Sequence, residues 1–140
     1  ITMELVGAGP LEDYINDLSI KTNGAIKISN DLNIVDKYQQ ADVLVMASFS
    51  EGMSNSILEA MSSGLVVISS EVGGAKDVIK HGINGLLFEN KNLEILVETL
   101  EDFLKDKYNT KDMSNNALSL IHQKFSKSIL LKNIKKIYGW

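Results

Sequence analysis

Two short apolar runs, "DVLVMAS" (Asp42–Ser48) and "LVVISS" (Leu65–Ser70), constrain the fold more than any other feature of the chain. Neither alternates polar with apolar residues, so each reads as a strand buried on both faces, and such strands belong to parallel sheets covered by helices on either side. The segment between them carries a helical pattern, which makes the stretch a strand–helix–strand unit.

The alternation extends along most of the chain. "TMELVG" (Thr2–Gly7) predicts a strand, followed by a helix opening at Pro10, where a missing N–H costs nothing in the first turn. "AIKIS" (Ala25–Ser29) is a weaker strand and "NIVDKYQQA" a short helix. "AKDVIKHG" predicts a helix stopped by Gly82, with His81 at its end, and "NGLLFE" (Asn84–Glu89) a last short strand. From Leu93 onward the period is helical throughout. Leu93, Leu96, Val97, Leu100, Phe103 and Leu104 mark one helix, Met113, Ala117, Leu120 and Ile121 a second, and Leu130, Ile134, Ile137 and Tyr138 a third. The expected architecture is α/β: one domain holding a doubly wound, mainly parallel sheet flanked by helices, with a helical C-terminal segment.

Charge and composition exclude several functions. The 140 residues carry a net charge of −4, which argues against general binding to nucleic acid. No apolar run approaches the roughly 20 residues that cross a bilayer, and "ITMELVGAGP" lacks the features of a signal peptide. There is no cysteine, so disulfides and thiolate metal sites are excluded. His81 and His122 stand in no metal-ligand spacing, and no Asp-x-Asp pair occurs, so no metal site is expected. All fourteen basic residues are lysine. Beyond Asp112 the chain has no acidic residue, which leaves Lys124, Lys127, Lys132, Lys135 and Lys136 as a positive tail. A basic amphipathic helix there suits an anionic membrane surface; a solvated lysine face on a packed helix is the plainer reading.

Two segments invite a ligand. "VGAGP" begins like a dinucleotide fingerprint, but Glu12 stands where the third glycine is required, so Gly7 and Gly9 read as a tight turn near the carboxyl end of a strand. The other segment is "SEGMSNSILEAMSSG" (Ser50–Gly64), with Glu51 and Glu59 on either side of a Gly-Met-Ser-Asn turn. In the plain reading Ser56 caps the helix and Glu59 completes a capping box. Helical phase puts Ile57, Leu58, Ala60 and Met61 on one face and Asn55, Glu59, Ser62 and Ser63 on the other, so Glu59 needs no function to be polar. Capping leaves Glu51 and the residues Gly52, Met53, Ser54 and Asn55 unexplained. A small-residue turn between a strand end and a helix start presents backbone N–H groups to an anion, and a carboxylate accepts two hydroxyls at once. Together these features fit a sugar, a diphosphate and a ribose in a row.

At this point the chain resembles a known family. "ADVLVMASFSEGMSNSILEAMSSGLVVISSEVGGAKDVIKHGINGLLF" (Ala41–Phe88) is similar to the C-terminal lobe of group-1 (family 4) glycosyltransferases of the GT-B fold. The resemblance rests on Glu-x(7)-Glu, E-A-M-x-x-G, the Gly73–Gly74 pair and H-G-x-N-G-L-L-F in order. "ELVGAGP" and "FSKSILLKNIKKIY" fit the lobe's earlier turn and terminal helix. The resemblance implies a retaining, metal-independent enzyme needing no cofactor, whose Rossmann-like lobe binds a nucleotide sugar such as a UDP- or GDP-sugar. Glu51 would meet the transferred sugar as the catalytic carboxylate, Glu59 the ribose diol, and Gly52, Met53, Ser54, Asn55 and Ser56 the sugar hydroxyls and diphosphate. Ile28 and Ser29 would meet the base, with Gly7 or Gly9 close by.

It also implies that residues 1–140 form a single lobe of a larger two-lobe enzyme. The terminal helix, residues 125–140, would pack toward the N-terminal lobe, which supplies the site for an acceptor sugar or lipid-linked sugar. Surface polysaccharide or glycolipid synthesis, a cytoplasmic location and peripheral membrane contact are further expectations. A non-catalytic α/β binding module and a nucleotide-sugar epimerase lobe remain as alternatives. The chain departs from the family at Val66, where proline is common, and in its lack of the upstream Arg and Lys that neutralise the diphosphate.

Overall fold

The computed structural model describes every residue except Leu32 and Trp140 and divides the chain into two compact units, Ile1–Asp36 and Lys37–Trp140. In the first unit β1 (Met3–Val6) pairs in parallel with β2 (Ile26–Ser29), Met3 opposite Ile26 and Val6 opposite Ser29, and α1 (Glu12–Lys21) connects them. The helix opens two residues later than the sequence predicts. Glu12 N–H bonds back to Gly9 C=O at 3.1 Å, so Pro10 and Leu11 form a turn, and Leu11 C=O is the first helical acceptor. Proline serves there as a turn residue, its fixed φ suiting the position after Gly9.

The second unit holds a three-stranded parallel sheet in the order β3-β4-β5, with β3 at Val43–Met46, β4 at Val66–Ser70 and β5 at Leu86–Phe88. All five residues of β4 are buried, which requires cover on both faces; those of β3 are only half-buried. "DVLVMAS" reads as the more apolar run, yet β4 pairs on both sides and β3 on one side of this sheet.

Helices account for the burial. Val66 and Ile68 of β4 and Leu86 and Phe88 of β5 pack with Met113, and with the partly buried Leu96, Leu100 and Phe103, so α5 (Leu93–Leu104) and α6 (Thr110–Leu120) close one face. Both helices start on asparagine: Asn92 accepts from Ile95 N–H and Asn109 from Asp112 N–H, each at 3.1 Å. On α3 (Asn55–Ser62), Ile57, Ala60 and Met61 are buried while Asn55, Glu59, Ser62 and Ser63 are exposed, as helical phase predicts.

Two local expectations fail. The helix in "AKDVIKHG" is a single turn, α4 (Ala75–Val78), and ends well before Gly82. Buried Asn84 supplies the reason: its Nδ2 donates to Val78 C=O at 3.0 Å and its Oδ1 accepts from Lys80 N–H at 2.6 Å, capturing groups a longer helix would use. His81 therefore ends no helix; its Nδ1 lies within hydrogen-bond reach of both backbone groups of Leu87. Between α6 and α7 (Lys127–Tyr138) the chain makes one π-helical turn, Ile121–Phe125, before breaking at extended Ser126.

Candidate functional site

The segment Ser48–Ser56 leaves the carboxyl end of β3 and enters α3, so it lies where ligands of parallel α/β sheets bind. Ser54, only 6 % exposed, is the N-cap, with extended backbone (φ −79°, ψ 116°), and α3 runs from Asn55. Ser56 is thus inside the helix and cannot cap it, which removes the capping box with Glu59. Nor does Ser54 make a capping bond with its side chain. The first-turn N–H groups of α3 have no intrahelical acceptor, and they stand at the positive end of the helix dipole.

Neighbouring loops hold the Ser48–Met53 segment by its main chain. Ser70, at the end of β4, donates its hydroxyl to Ser48 C=O at 2.7 Å, and Asn90, after β5, donates Nδ2 to Phe49 C=O at 3.0 Å. Gly74 N–H donates to Gly52 C=O at 2.9 Å. Gly73 has φ +44°, and a Cβ placed on it would lie 1.7 Å from the Glu51 carbonyl oxygen. Only glycine permits that approach. The Gly73–Gly74 pair is therefore the floor beneath Glu51 and Gly52.

The two carboxylates stand in different surroundings. Glu51 is exposed and accepts from Ser48 Oγ at 3.2 Å, a bond that turns it back toward the strand end. Glu59, on the exposed face of α3, faces buried Tyr38 of α2 (Ile34–Gln40), whose Oη is 3.5 Å from Glu59 Oε2. Burial pushes the Tyr38 phenol above its ordinary range; the Glu59 charge pushes the same way, and a hydrogen bond with Ser56 opposes both. The sequence gives a partial signal for Ser48, three residues before Glu51, and none for Tyr38, Ser70 or Asn90.

In the first unit, Gly7, Gly9 and Ile28 line one cavity of about 330 Å³ at the carboxyl ends of β1 and β2. Ser29 does not line it; its carbonyl instead accepts from Gly7 N–H at 2.9 Å. Among the described residues no three His, Asp or Glu side chains gather as metal ligands, and no helix is long and apolar enough to cross a membrane.

Residues 1–119 match the family described as glycosyl transferases group 1. An uncharacterised glycosyltransferase of Methanocaldococcus jannaschii is 30% identical over 139 residues, a match covering 96% of this chain and 36% of that protein. The crystal structure of the C-terminal domain of a glycosyl transferase group 1 family protein from Francisella tularensis superposes with a TM-score of 0.76 at 26% identity, covering 90% of this chain and 70% of that one. The Anabaena protein HepE, solved in complex with UDP-glucose, has a TM-score of 0.81 at 22% identity, covering 99% of this chain and 41% of that one.

Proposed function

This chain belongs to the group 1 glycosyl transferases, and from that premise we propose that it is the donor-binding lobe of a two-lobe enzyme that moves a sugar from a nucleotide sugar to an acceptor with retention. The observation that carries the reading is the Ser48–Ser56 segment: an exposed carboxylate, a run of first-turn amides and a second carboxylate follow one another at the carboxyl end of a parallel sheet. In this reading the Asn55 and Ser56 amides, with the turn Gly52-Met53-Ser54, receive the diphosphate. Glu51 accepts from hydroxyls of the transferred sugar, and Glu59 from the ribose diol.

The chemistry follows from charge. When the bond between sugar and diphosphate breaks, the diphosphate leaves with the electron pair, and its growing negative charge is met by amides already oriented toward it. A positive centre develops on the sugar, which the Glu51 carboxylate favours at short range. No metal ion is required in this reading.

On α7, Leu130, Leu131, Ile137 and Tyr138 are exposed beside Lys132, Lys135 and Lys136. We assign the apolar residues to the second lobe and the lysines to peripheral contact with an anionic membrane, and read the reaction as part of the cytoplasmic synthesis of a surface polysaccharide or glycolipid.

Titration of this chain with UDP- and GDP-sugars tests the reading. Weak binding is expected, with amide signals from Gly52 to Glu59 shifting and Glu59→Gln reducing affinity; no transfer is expected from the chain alone. In the longer enzyme, Glu51→Gln should abolish transfer. If no nucleotide sugar moves those signals, the donor assignment is wrong.

A further inference from the structure

Tyr38 is 6 % exposed, and a phenylalanine would satisfy its burial equally well; the hydroxyl is the feature that needs an explanation. That hydroxyl meets α3 at Ser56 and Glu59, three residues apart on the side of the helix where Glu59 is exposed. A free glutamate on such a face samples many rotamers, and fixing it for a ligand costs entropy. A donor standing on a buried ring restricts that sampling in advance.

We propose that Tyr38 is a positioning residue for Glu59: its phenol O–H, donated to Glu59 Oε2, holds the Glu59 carboxylate in the orientation that accepts both hydroxyls of a ribose, and so governs discrimination between ribo- and 2′-deoxyribonucleotides without touching the ligand. The inference rests on the assignment of Glu59 to the ribose. A carboxylate has about four lone-pair sites. Tyr38 addresses one of them, on Oε2, and the others stay available for the diol. A neutral donor suits this task better than a lysine, because it orients the carboxylate without cancelling its charge. The phenol keeps its proton, since burial and the Glu59 charge both oppose ionisation. At 3.5 Å the contact is longer than a tight charge-assisted O–H···O⁻ bond of about 2.5–2.7 Å.

The test is a titration of the full-length polypeptide carrying this chain with UDP and GDP and with their 2′-deoxy counterparts. Wild type is expected to prefer the ribonucleotide. Tyr38→Phe should weaken the ribonucleotide by about 3- to 10-fold, the range of one hydrogen bond, and leave the 2′-deoxy affinity and thermal midpoint in place. Under turnover the donor KM should rise without a matching fall in kcat. In a Glu59→Gln background Tyr38→Phe should add nothing. Equal weakening of both nucleotides, or a full additional loss in the Glu59→Gln background, would show a merely structural tyrosine and overturn the proposal. A wild type that binds nucleotide without ribose preference removes the role of Glu59, and the positioning role falls with it. A wild type that binds neither nucleotide removes the donor assignment itself.

Discussion

Replacing Gly73 by alanine tests whether the loop beneath Glu51 sets the geometry of the site. The new Cβ would lie 1.7 Å from the Glu51 carbonyl oxygen, 2.7 Å from its carbon and 2.9 Å from the Gly52 carbonyl oxygen. Real Cβ atoms essentially never approach within 3.0 Å, so the Glu51 peptide must retreat by about 1.3 Å or the Gly73 loop must rebuild. The left-handed backbone adds about 1–2 kcal/mol for any residue with a Cβ. Gly73 is exposed, so the cost stays local and the β4 core should survive. A shift of about 1 Å in a reacting group costs on the order of 100-fold in rate. We therefore expect Gly73→Ala in the longer enzyme to lose roughly 100-fold in kcat/KM for the nucleotide-sugar donor, while the free energy of unfolding falls by no more than about 1–3 kcal/mol. Gly74→Ala should be milder, because two of the three atoms its Cβ would crowd belong to the flexible Met53 side chain, at 3.1 Å. Donor titration, transfer kinetics and urea denaturation of the same preparations decide it. A folded Gly73→Ala protein with wild-type donor affinity and rate would refute the claim that this glycine holds the turn.

Three further outcomes are expected. The raised phenol of Tyr38 means that the folded chain keeps a proton the unfolded chain releases near pH 10; its contribution is complete below that pH and is lost as pH rises through the folded value. Wild type should thus lose more stability than Tyr38→Phe above about pH 10 in paired urea titrations; Lys107, raised by Asp102, acts in the same direction but cancels in the comparison. Asn84→Ala removes the side chain that donates to Val78 C=O and accepts from Lys80 N–H, and should cost roughly 2–4 kcal/mol by thermal or chemical denaturation. Replacing Lys132, Lys135 and Lys136 with glutamate should abolish sedimentation with vesicles containing phosphatidylserine and leave binding to neutral vesicles unchanged; equal binding to both would remove the electrostatic membrane contact.

The parts of the structure legible in the sequence were those set by periodicity over many residues. Five strands and the long helices appear where apolar spacing puts them, and the Glu51–Glu59 segment joins β3 to α3 as its composition suggests. Errors gathered where a single distant partner decided the local structure. Asn84 ends α4 by bonding six residues back, which no helical-wheel count registers. The cap of α3 moved from Ser56 to Ser54, because serines two residues apart offer the same chemistry and only the chain direction at the end of the turn selects between them. The sequence around Tyr38 shows only a short helix; the link to Glu59 spans 21 positions and leaves no local pattern. Ser70 and Asn90 are likewise ordinary polar residues until the sheet brings three loops to one end.

The manner in which the Glu51 loop is held has an evolutionary consequence. Ser70, Asn90 and Gly74 grip the carbonyls of Ser48, Phe49 and Gly52, and Gly73 abuts that of Glu51. Every one of these contacts reads the peptide chain and none reads the side chains of Phe49, Ser50 or Met53. Ser50 can therefore mutate without surrendering the loop's shape, whereas Phe49, whose ring lies 6.0 Å from the Lys91 ammonium, and Met53, whose side chain lies against Gly74, carry contacts of their own.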